Sequence, residues 1–213
     1  MRRAFHPVLT TPPGDNMGKI YCLMGKSASG KDTIYRQLLL SEELKLKKIV
    51  PYTTRPIRER EKDGVQYFFV DEDRLKELKA ADRVIECRSY NTVHGVWYYF
   101  TVADDQVDLE HNSYLVIGTP ESFISTRDYY GSDRVIPIYI ELDDGVRLQR
   151  ALNRENGQSE PKYEEMCRRF LADAEDFSEE RLAEAGIGAE NRFPNDDLSV
   201  CIANITEYID RTD

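Results

Sequence analysis

The segment from Gly25 to Thr33 carries the residues best suited to phosphate chemistry. It reads Gly-Lys-Ser-Ala-Ser-Gly-Lys-Asp-Thr, a G-x-x-x-x-G-K pattern that follows an apolar run and precedes a helical pattern. Glycines let the backbone curl so that several N–H groups face one centre, and the helix N-terminus adds positive potential there. Lys31 supplies a point charge for the β- and γ-phosphates. The loop residues that we expect to bind phosphate are Gly25, Ser27, Ser29, Gly30, Lys31, Asp32 and Thr33.

Asp32 occupies the position where this pattern usually has a serine or threonine that contacts Mg²⁺. A carboxylate is a hard oxygen ligand that could hold Mg²⁺ directly or through water. Thr33 could then take part of the missing hydroxyl's role. The alternative is that Asp32 simply caps the helix N-terminus. We predict Asp32 as the metal residue and keep the capping alternative open.

Basic residues are concentrated in two stretches of an otherwise acidic chain. The formal net charge is −10, which argues against broad adhesion to nucleic acid or to anionic membrane. Residues 45–62 and 147–169 are the two basic stretches. In the second, Arg147, Arg150 and Arg154 have helical spacing and would share one face. Local basic clusters of this kind favour focused recognition of anions.

Strand patterns and helix patterns alternate along the chain. We predict strands at 19–24, 67–70, 84–88, 97–102, 113–117 and 135–140, and helices at 32–40, 71–80, 121–129, 144–154, 162–174 and 198–209. Alternation of this kind predicts α/β layers around a mainly parallel sheet. Residues 1–16 are proline-rich and predict a flexible N-terminal extension.

Cysteine and histidine usage argues against zinc and against a secreted protein. The cysteines, Cys22, Cys87, Cys167 and Cys201, are widely scattered and form no CxxC pair. A zinc site needs ligands gathered from short spacings, so we expect none. Cys22 lies in an apolar run, which favours a small core residue over a nucleophile. Without a secretory leader pattern, we expect a cytoplasmic protein.

Several further motifs follow the loop in a fixed order. They are Thr53-Thr54-Arg55 with Arg58, Gly64 with Tyr67 and Phe69, Val84-Ile85-Glu86, Arg150 with Arg154, Arg169, and Asn195-Asp196-Asp197. In this order they resemble the motifs of the guanylate kinase family, over about residues 18–208. Each motif is weak alone, but the set makes the resemblance strong.

The resemblance implies a three-layer P-loop α/β fold over residues 17–213 with a mainly parallel sheet. It implies an inserted acceptor-binding lobe at about 51–103 and a small lid at about 154–163. The implied reaction is phosphoryl transfer from ATP, with Mg²⁺, to a nucleoside monophosphate, GMP above others. The implied partners are small-molecule nucleotides, without nucleic acid or membrane, for a monomer or homodimer.

The resemblance also implies residue roles. Lys31, Arg150, Arg154 and Arg169 would be catalytic, and Asn195 would lie near the adenine of ATP. The acceptor would be bound by Arg55, Arg58, Tyr67, Glu86 and Tyr98. Of these, Glu86 would read the guanine edge and the others would hold the phosphate.

Two departures from the family pattern concern the guanine site. Pro51 stands where the family has a serine that helps to read guanine, and Gly118 stands in a run where the family has acids. Ribose 1,5-bisphosphate phosphokinases share the Gly-Lys-Asp-Ser/Thr element and also lack those acids, so a kinase of that type is the alternative. A second alternative is a non-catalytic interaction module. The aromatic run Trp97–Phe100 could stack on a base, or form a half-buried strand facing Tyr90.

Overall fold

A computed structural model describes residues 17–59, 61–92 and 95–213, and the predicted extension at 1–16 lies outside these residues. The first sheet has five parallel strands in the order β2-β7-β1-β8-β9. These strands are β1 (Ile20–Met24), β2 (Lys47–Lys48), β7 (Tyr114–Ile117), β8 (Val135–Glu141) and β9 (Arg192–Pro194). The predicted α/β fold with a mainly parallel sheet is confirmed.

Helices cover both faces of this sheet. They are α1 (Lys31–Leu40), α3 (Pro120–Tyr130), α4 (Asp144–Asn156), α5 (Tyr163–Asp176), α6 (Glu179–Glu184) and α7 (Leu198–Thr212). Every residue of strand β1 is apolar because both faces of the strand are buried. Cys22 and Met24 pack with Phe123 on one face, whereas Tyr21 and Leu23 pack on the other. A strand buried on both faces needs continuous rather than alternating hydrophobicity.

A second sheet of four strands, in the order β4-β3-β6-β5, lies in the range where the acceptor-binding lobe is expected, and we call this part of the chain the lobe. Its elements are β3 (Tyr52–Thr53), β4 (Phe68–Phe69), α2 (Glu72–Ala80), β5 (Val84–Thr92) and β6 (Gly95–Val102). Strands β5 and β6 pair antiparallel. The core of the lobe includes Leu75, Leu78 and Phe100. Helix α2 thus covers one face of the lobe sheet and leaves the other for a site.

The sequence patterns located most elements but missed the short ones. Strands β2, β3 and β9, helix α6 and a 3₁₀ turn at Ala189–Asn191 were not predicted. Two or three residues carry too little periodicity for detection, and their pairing partners are distant in sequence.

Candidate active site

The loop between β1 and α1 has the strained backbone that a phosphate cradle requires. Ala28 and Gly30 have φ angles of 62° and 95°. A Cβ added at Gly30 would lie 2.3 Å from Asn195 Nδ2, so glycine is needed there for space as well as for backbone conformation. Lys31 begins α1 immediately afterwards. The loop therefore presents its backbone and Lys31 at the N-terminal end of a helix.

Buried Arg147 braces the loop from behind. Its Nε–H donates to the Ser27 carbonyl oxygen over 3.0 Å, and its Nη2 donates to Asp173 Oδ2 over 3.1 Å. The same Asp173 oxygen accepts the Ser27 N–H over 2.7 Å. Arg147, expected on the cationic face with Arg150 and Arg154, is only 1% exposed. It therefore acts as a structural support for the loop.

Asn195 braces the loop from the other side. Its Nδ2 donates to the Ser29 carbonyl oxygen over 2.7 Å, and its backbone N–H donates to the Glu141 carbonyl oxygen over 2.9 Å. The residue is 3% exposed. Its observed contacts are with the loop and the sheet, and a contact with adenine stays a prediction.

Two of the three predicted catalytic arginines lie beside the loop. Arg169 of α5 approaches Ser27, with Nη2 and Oγ 3.3 Å apart. Arg150 Nη1 of α4 lies 3.8 Å from the position of a Cβ built on Gly30. Arg154 is exposed near the end of α4, before the segment 157–162 that leads to α5. The lid expected at about 154–163 includes this segment, and the ends of the expected range lie in α4 and α5.

Asp32, the predicted metal residue, is an exposed carboxylate beside the phosphate loop. Its side chain is 75% exposed and lies 3.5 Å from Lys31 Nζ, at the phosphate end of the loop. No capping hydrogen bond from a side chain is described at the start of α1. Mg²⁺ in phosphoryl-transfer sites is commonly held by one or two carboxylates together with substrate phosphates. A single exposed carboxylate beside a phosphate loop fits that donor set.

In the lobe, Arg55 is held by Glu61. The guanidinium donates to both carboxylate oxygens, over 2.7 Å and 2.5 Å, and its side chain is only 3% exposed. Arg55 also lies 5.1 Å from the ring centroid of Tyr67. The Arg58 N–H donates to the same Glu61, while the Arg58 side chain is exposed. Hydrogen bonding from Arg55 lowers the pKa of Glu61, so this carboxylate is ionised at neutral pH.

The tyrosine that joins this cluster is Tyr99 rather than Tyr98. Tyr99 contacts Tyr67 edge-on at 5.6 Å and Tyr90 at 5.5 Å. Tyr98 packs on the opposite face with the α2 core, 5.5 Å from Lys79 Nζ. Side chains alternate along a strand, so a shift of one residue reverses the face. The contact between Tyr99 and Tyr90 is the one expected if Trp97–Phe100 forms a half-buried strand rather than a surface that stacks on a base.

Glu86 is a buried carboxylate with two partners on the lobe sheet. It accepts hydrogen bonds from Thr101 Oγ1 over 2.9 Å and from Arg88 Nε over 3.0 Å. The sequence motifs identified Glu86 but missed Arg88. Residues i and i+2 of a strand share a face, so the strand prediction at 84–88 contained the signal that could have found it.

A cleft of about 290 Å³ lies between the lobe and the main sheet. Its lining residues are Cys87, Arg88, Ser89, Tyr90, Thr119, Pro120, Glu121, Asp176 and Arg181. Gly118 lies at the end of β7 and has no room for an acid. A Cβ there would lie 2.8 Å from Cys22 Sγ and 2.6 Å from Ser122 Oγ. Among the residues that line the cleft, Asp176 has a raised pKa because burial removes water from its carboxylate.

Cys22 itself is a core residue, as predicted. It is 1% exposed, and burial raises the pKa of its thiol to about 12. Within the described residues, no group of three or more histidine, cysteine or acidic side chains could hold a metal ion. In the same part of the chain, no helix has the length and apolar character needed to cross a membrane.

Comparison with known proteins points to one family. Residues 17–104 match the family model described as guanylate kinase. The chain is 35% identical to a guanylate kinase of Mycoplasma pneumoniae over 143 residues, which cover 66% of this chain and 58% of the relative. It is 25% identical to a guanylate kinase of Porphyromonas gingivalis over 195 residues, which cover 91% of this chain and 97% of the relative. The chain thus spans less than two thirds of the first of these relatives and nearly all of the second.

A solved structure has the same fold. A guanylate kinase from Anaplasma phagocytophilum superposes with a TM-score of 0.59 and 21% identity, covering 92% of this chain and 86% of that one. At this level of identity the likeness concerns the fold, and it agrees with the resemblance that the sequence motifs indicate.

Proposed function

We propose that this chain is an enzyme of the guanylate kinase family, to which it is similar, and that it transfers the γ-phosphoryl group of ATP to GMP, giving ADP and GDP. The observation that carries this proposal is the convergence of Lys31, Arg150 and Arg169 on the loop at 25–33. Phosphoryl transfer asks a protein chiefly for positioning and for positive charge around the moving group.

In the proposed reaction a phosphate oxygen of GMP attacks the γ-phosphorus of ATP, and the bond to the ADP oxygen breaks. Lys31 holds the β- and γ-phosphates, while Arg150, Arg154 and Arg169 neutralise charge on the transferring group. The segment at 157–162 closes over the site and excludes water, which limits ATP hydrolysis. When bound, Mg²⁺ would lie near Asp32 and offset phosphate charge.

The acceptor phosphate would be bound by Arg55, Arg58 and Tyr67, which cluster around Glu61. We include Tyr99 in this group and assign Tyr98 to the lobe core. Arg55 would exchange Glu61 for the phosphate of GMP, since both are anions that a guanidinium can bind with two parallel hydrogen bonds. Glu86 would bind the N1–H and 2-amino group of guanine.

Ribose 1,5-bisphosphate is the second candidate acceptor, favoured by the two cationic groups of the cleft, Arg88 and Arg181. Acidic groups oppose it. Glu121 and Asp176 line the same cleft, and Glu86 is bonded to Arg88. A second phosphate would be repelled by these carboxylates, whereas the donor edge of guanine would be attracted. A non-catalytic module would not need the loop and its adjacent arginines, so we place it last.

The test of the acceptor assignment is Glu86→Gln. We expect the KM for GMP to rise by about 100-fold, because a buried hydrogen-bonding carboxylate is lost, while the KM for ATP stays unchanged. Steady-state kinetics with GDP quantified by ion-exchange chromatography measures both constants. An unchanged KM for GMP would contradict the assignment. The cytoplasmic location and the monomeric or homodimeric state stay predictions.

A further inference from the structure

Arg88 lines the cleft, and Glu86 is its ion-pair partner. Arg88 Nε lies 3.0 Å from Glu86 Oε2, and Nη2 lies 3.5 Å from Oε1. Their side chains are 19% and 4% exposed. Thr101 Oγ1 holds the carboxylate from the neighbouring strand over 2.9 Å. The pair is therefore oriented by bonds that leave little freedom to either side chain.

Glu86 occupies only one edge of the Arg88 guanidinium. The carboxylate engages the edge of the guanidinium formed by Nε and Nη2. The other edge, formed by Nη1 and Nη2, points away from Glu86 because the guanidinium is a planar fork. Arg88 lines the cleft. That second edge is thus suited to bind a ligand held there.

Guanine has a pattern that complements this pair. Its N1–H and 2-amino group are donors suited to a carboxylate, and its O6 and N7 are neighbouring acceptors that arginine binds with two hydrogen bonds. We propose that Arg88 is a specificity-determining residue that donates to O6 and N7 of the guanine while Glu86 accepts from N1 and N2. This inference rests on the proposed function, since it names how the acceptor base is read.

The two departures from the family pattern explain why such a residue is needed. Pro51 has no side-chain donor, and its carbonyl oxygen accepts the Phe68 N–H over 2.9 Å. Gly118 has no space for an acid because Cys22 lies beneath it. Arg88 lines the same cleft as Thr119, the residue that follows Gly118. Arg88 therefore lies near the end of β7, where the family acids would be.

The same arrangement excludes adenine. Adenine carries an amino group at position 6, which would face the N–H of Arg88 that binds O6 of guanine and leave that donor unpaired. A site built to hydrogen-bond one edge discriminates strongly against an analogue that cannot supply it.

The test compares GMP with 6-thio-GMP and 7-deaza-GMP, which weaken the O6 acceptor and remove the N7 acceptor respectively. Both analogues keep the N1–H and 2-amino group that Glu86 would bind. We expect the wild-type protein to prefer GMP by about 10-fold in kcat/KM over each analogue. In Arg88→Lys, which keeps a cation beside Glu86 but lacks the fork, this preference should fall to about 2-fold or less.

A second variant and a control keep the result interpretable. Arg88→Met should also lose the preference, provided that circular dichroism shows the fold is retained, and Arg88→Lys serves if Met destabilises the lobe. Arg83→Lys, an exposed arginine of the same lobe, should keep the wild-type preference. An equal loss with all three nucleotides in Arg88→Lys would overturn the inference, because it would mean that Arg88 only positions Glu86. Absence of GMP turnover by the wild-type protein would instead overturn the proposed function.

Discussion

The phosphate loop and the acceptor lobe are stabilised in opposite ways. The loop at 25–33 is fixed by buried groups that bond to its backbone, namely Arg147, Asp173 and Asn195. In the lobe, the groups expected to bind the acceptor are themselves paired with opposite charges, Arg55 with Glu61 and Glu86 with Arg88. In the proposed function, the donor side would bind ATP with its supports intact, whereas the acceptor phosphate would displace Glu61 from Arg55. We therefore expect the loss of a charged side chain to change the affinity for the acceptor more than the affinity for ATP.

The largest expected effect is on the donor side. Lys31→Ala should lower kcat by about 1,000-fold, because a charge that stabilises the transition state is lost. The fold should be retained, since the loop is braced by other residues. Coupled ADP release measures the rate, and circular dichroism checks the fold. Lys76→Ala, on the exposed face of α2, is the matched control and should keep the wild-type rate. Near wild-type activity in Lys31→Ala would refute the site assignment.

The next largest expected effect distinguishes acceptor binding in the lobe from ATP binding at the phosphate loop. Arg55→Lys should raise the KM for GMP by about 30-fold, because lysine cannot bind a phosphate with two parallel N–H bonds. The KM for ATP should stay unchanged, as measured by varying each substrate at saturation of the other. Arg83→Lys, exposed in the same lobe, is the control. Equal rises in both KM values would mean that Arg55 supports the fold rather than the acceptor.

Two arginines on the same helix should give opposite phenotypes. Arg147→Met should lower the free energy of unfolding by about 3 kcal/mol, because Asp173 loses its buried partner. Arg150→Met, at an exposed position, should change that free energy by about 0.5 kcal/mol or less but should lower kcat by about 10-fold, since Arg154 and Arg169 remain to neutralise charge. Urea unfolding followed by fluorescence provides the first measurement. If the two variants are equally stable, Arg147 does not brace the loop.

The smallest expected effect concerns the ion pair between Arg55 and Glu61 in the lobe. The pKa of Glu61 is lowered in the folded protein, so its contribution is present above the unfolded-state value of about 4.3 and is lost as the pH falls through the folded value. Glu61→Gln should therefore reduce the free energy of unfolding by about 1 kcal/mol at neutral pH and by less below pH 4. Urea unfolding at both pH values measures the difference. A difference independent of pH would argue against a charge effect.

The sequence predicted the elements whose signal is local. Strand β1 is a continuous apolar run, and α2 begins at a capping aspartate, Asp71, whose side chain accepts the Arg74 N–H. The loop at 25–33 was recognised because its pattern is contiguous. Strand β9 and helix α6 were missed because they are short and owe their existence to packing against distant residues.

Side-chain partners were predicted less well than side-chain identities. Arg147 has the same helical spacing as Arg150, yet one is buried and the other exposed, because Asp173 and Ser27 bond to Arg147 from elsewhere in the chain. Tyr98 was chosen where Tyr99 faces the cluster, since the register of β6 is fixed by pairing with β5. Contacts between distant segments decided both cases.

The most direct test of the central claim is coupled ADP release from ATP and Mg²⁺ with a panel of acceptors. The panel contains GMP, dGMP, AMP, CMP, UMP and ribose 1,5-bisphosphate. We expect rapid turnover with GMP and dGMP alone, because only guanine offers donors to Glu86 and acceptors to Arg88. Preferred turnover of the sugar bisphosphate, or no turnover on the whole panel with ATP still bound, would contradict the account.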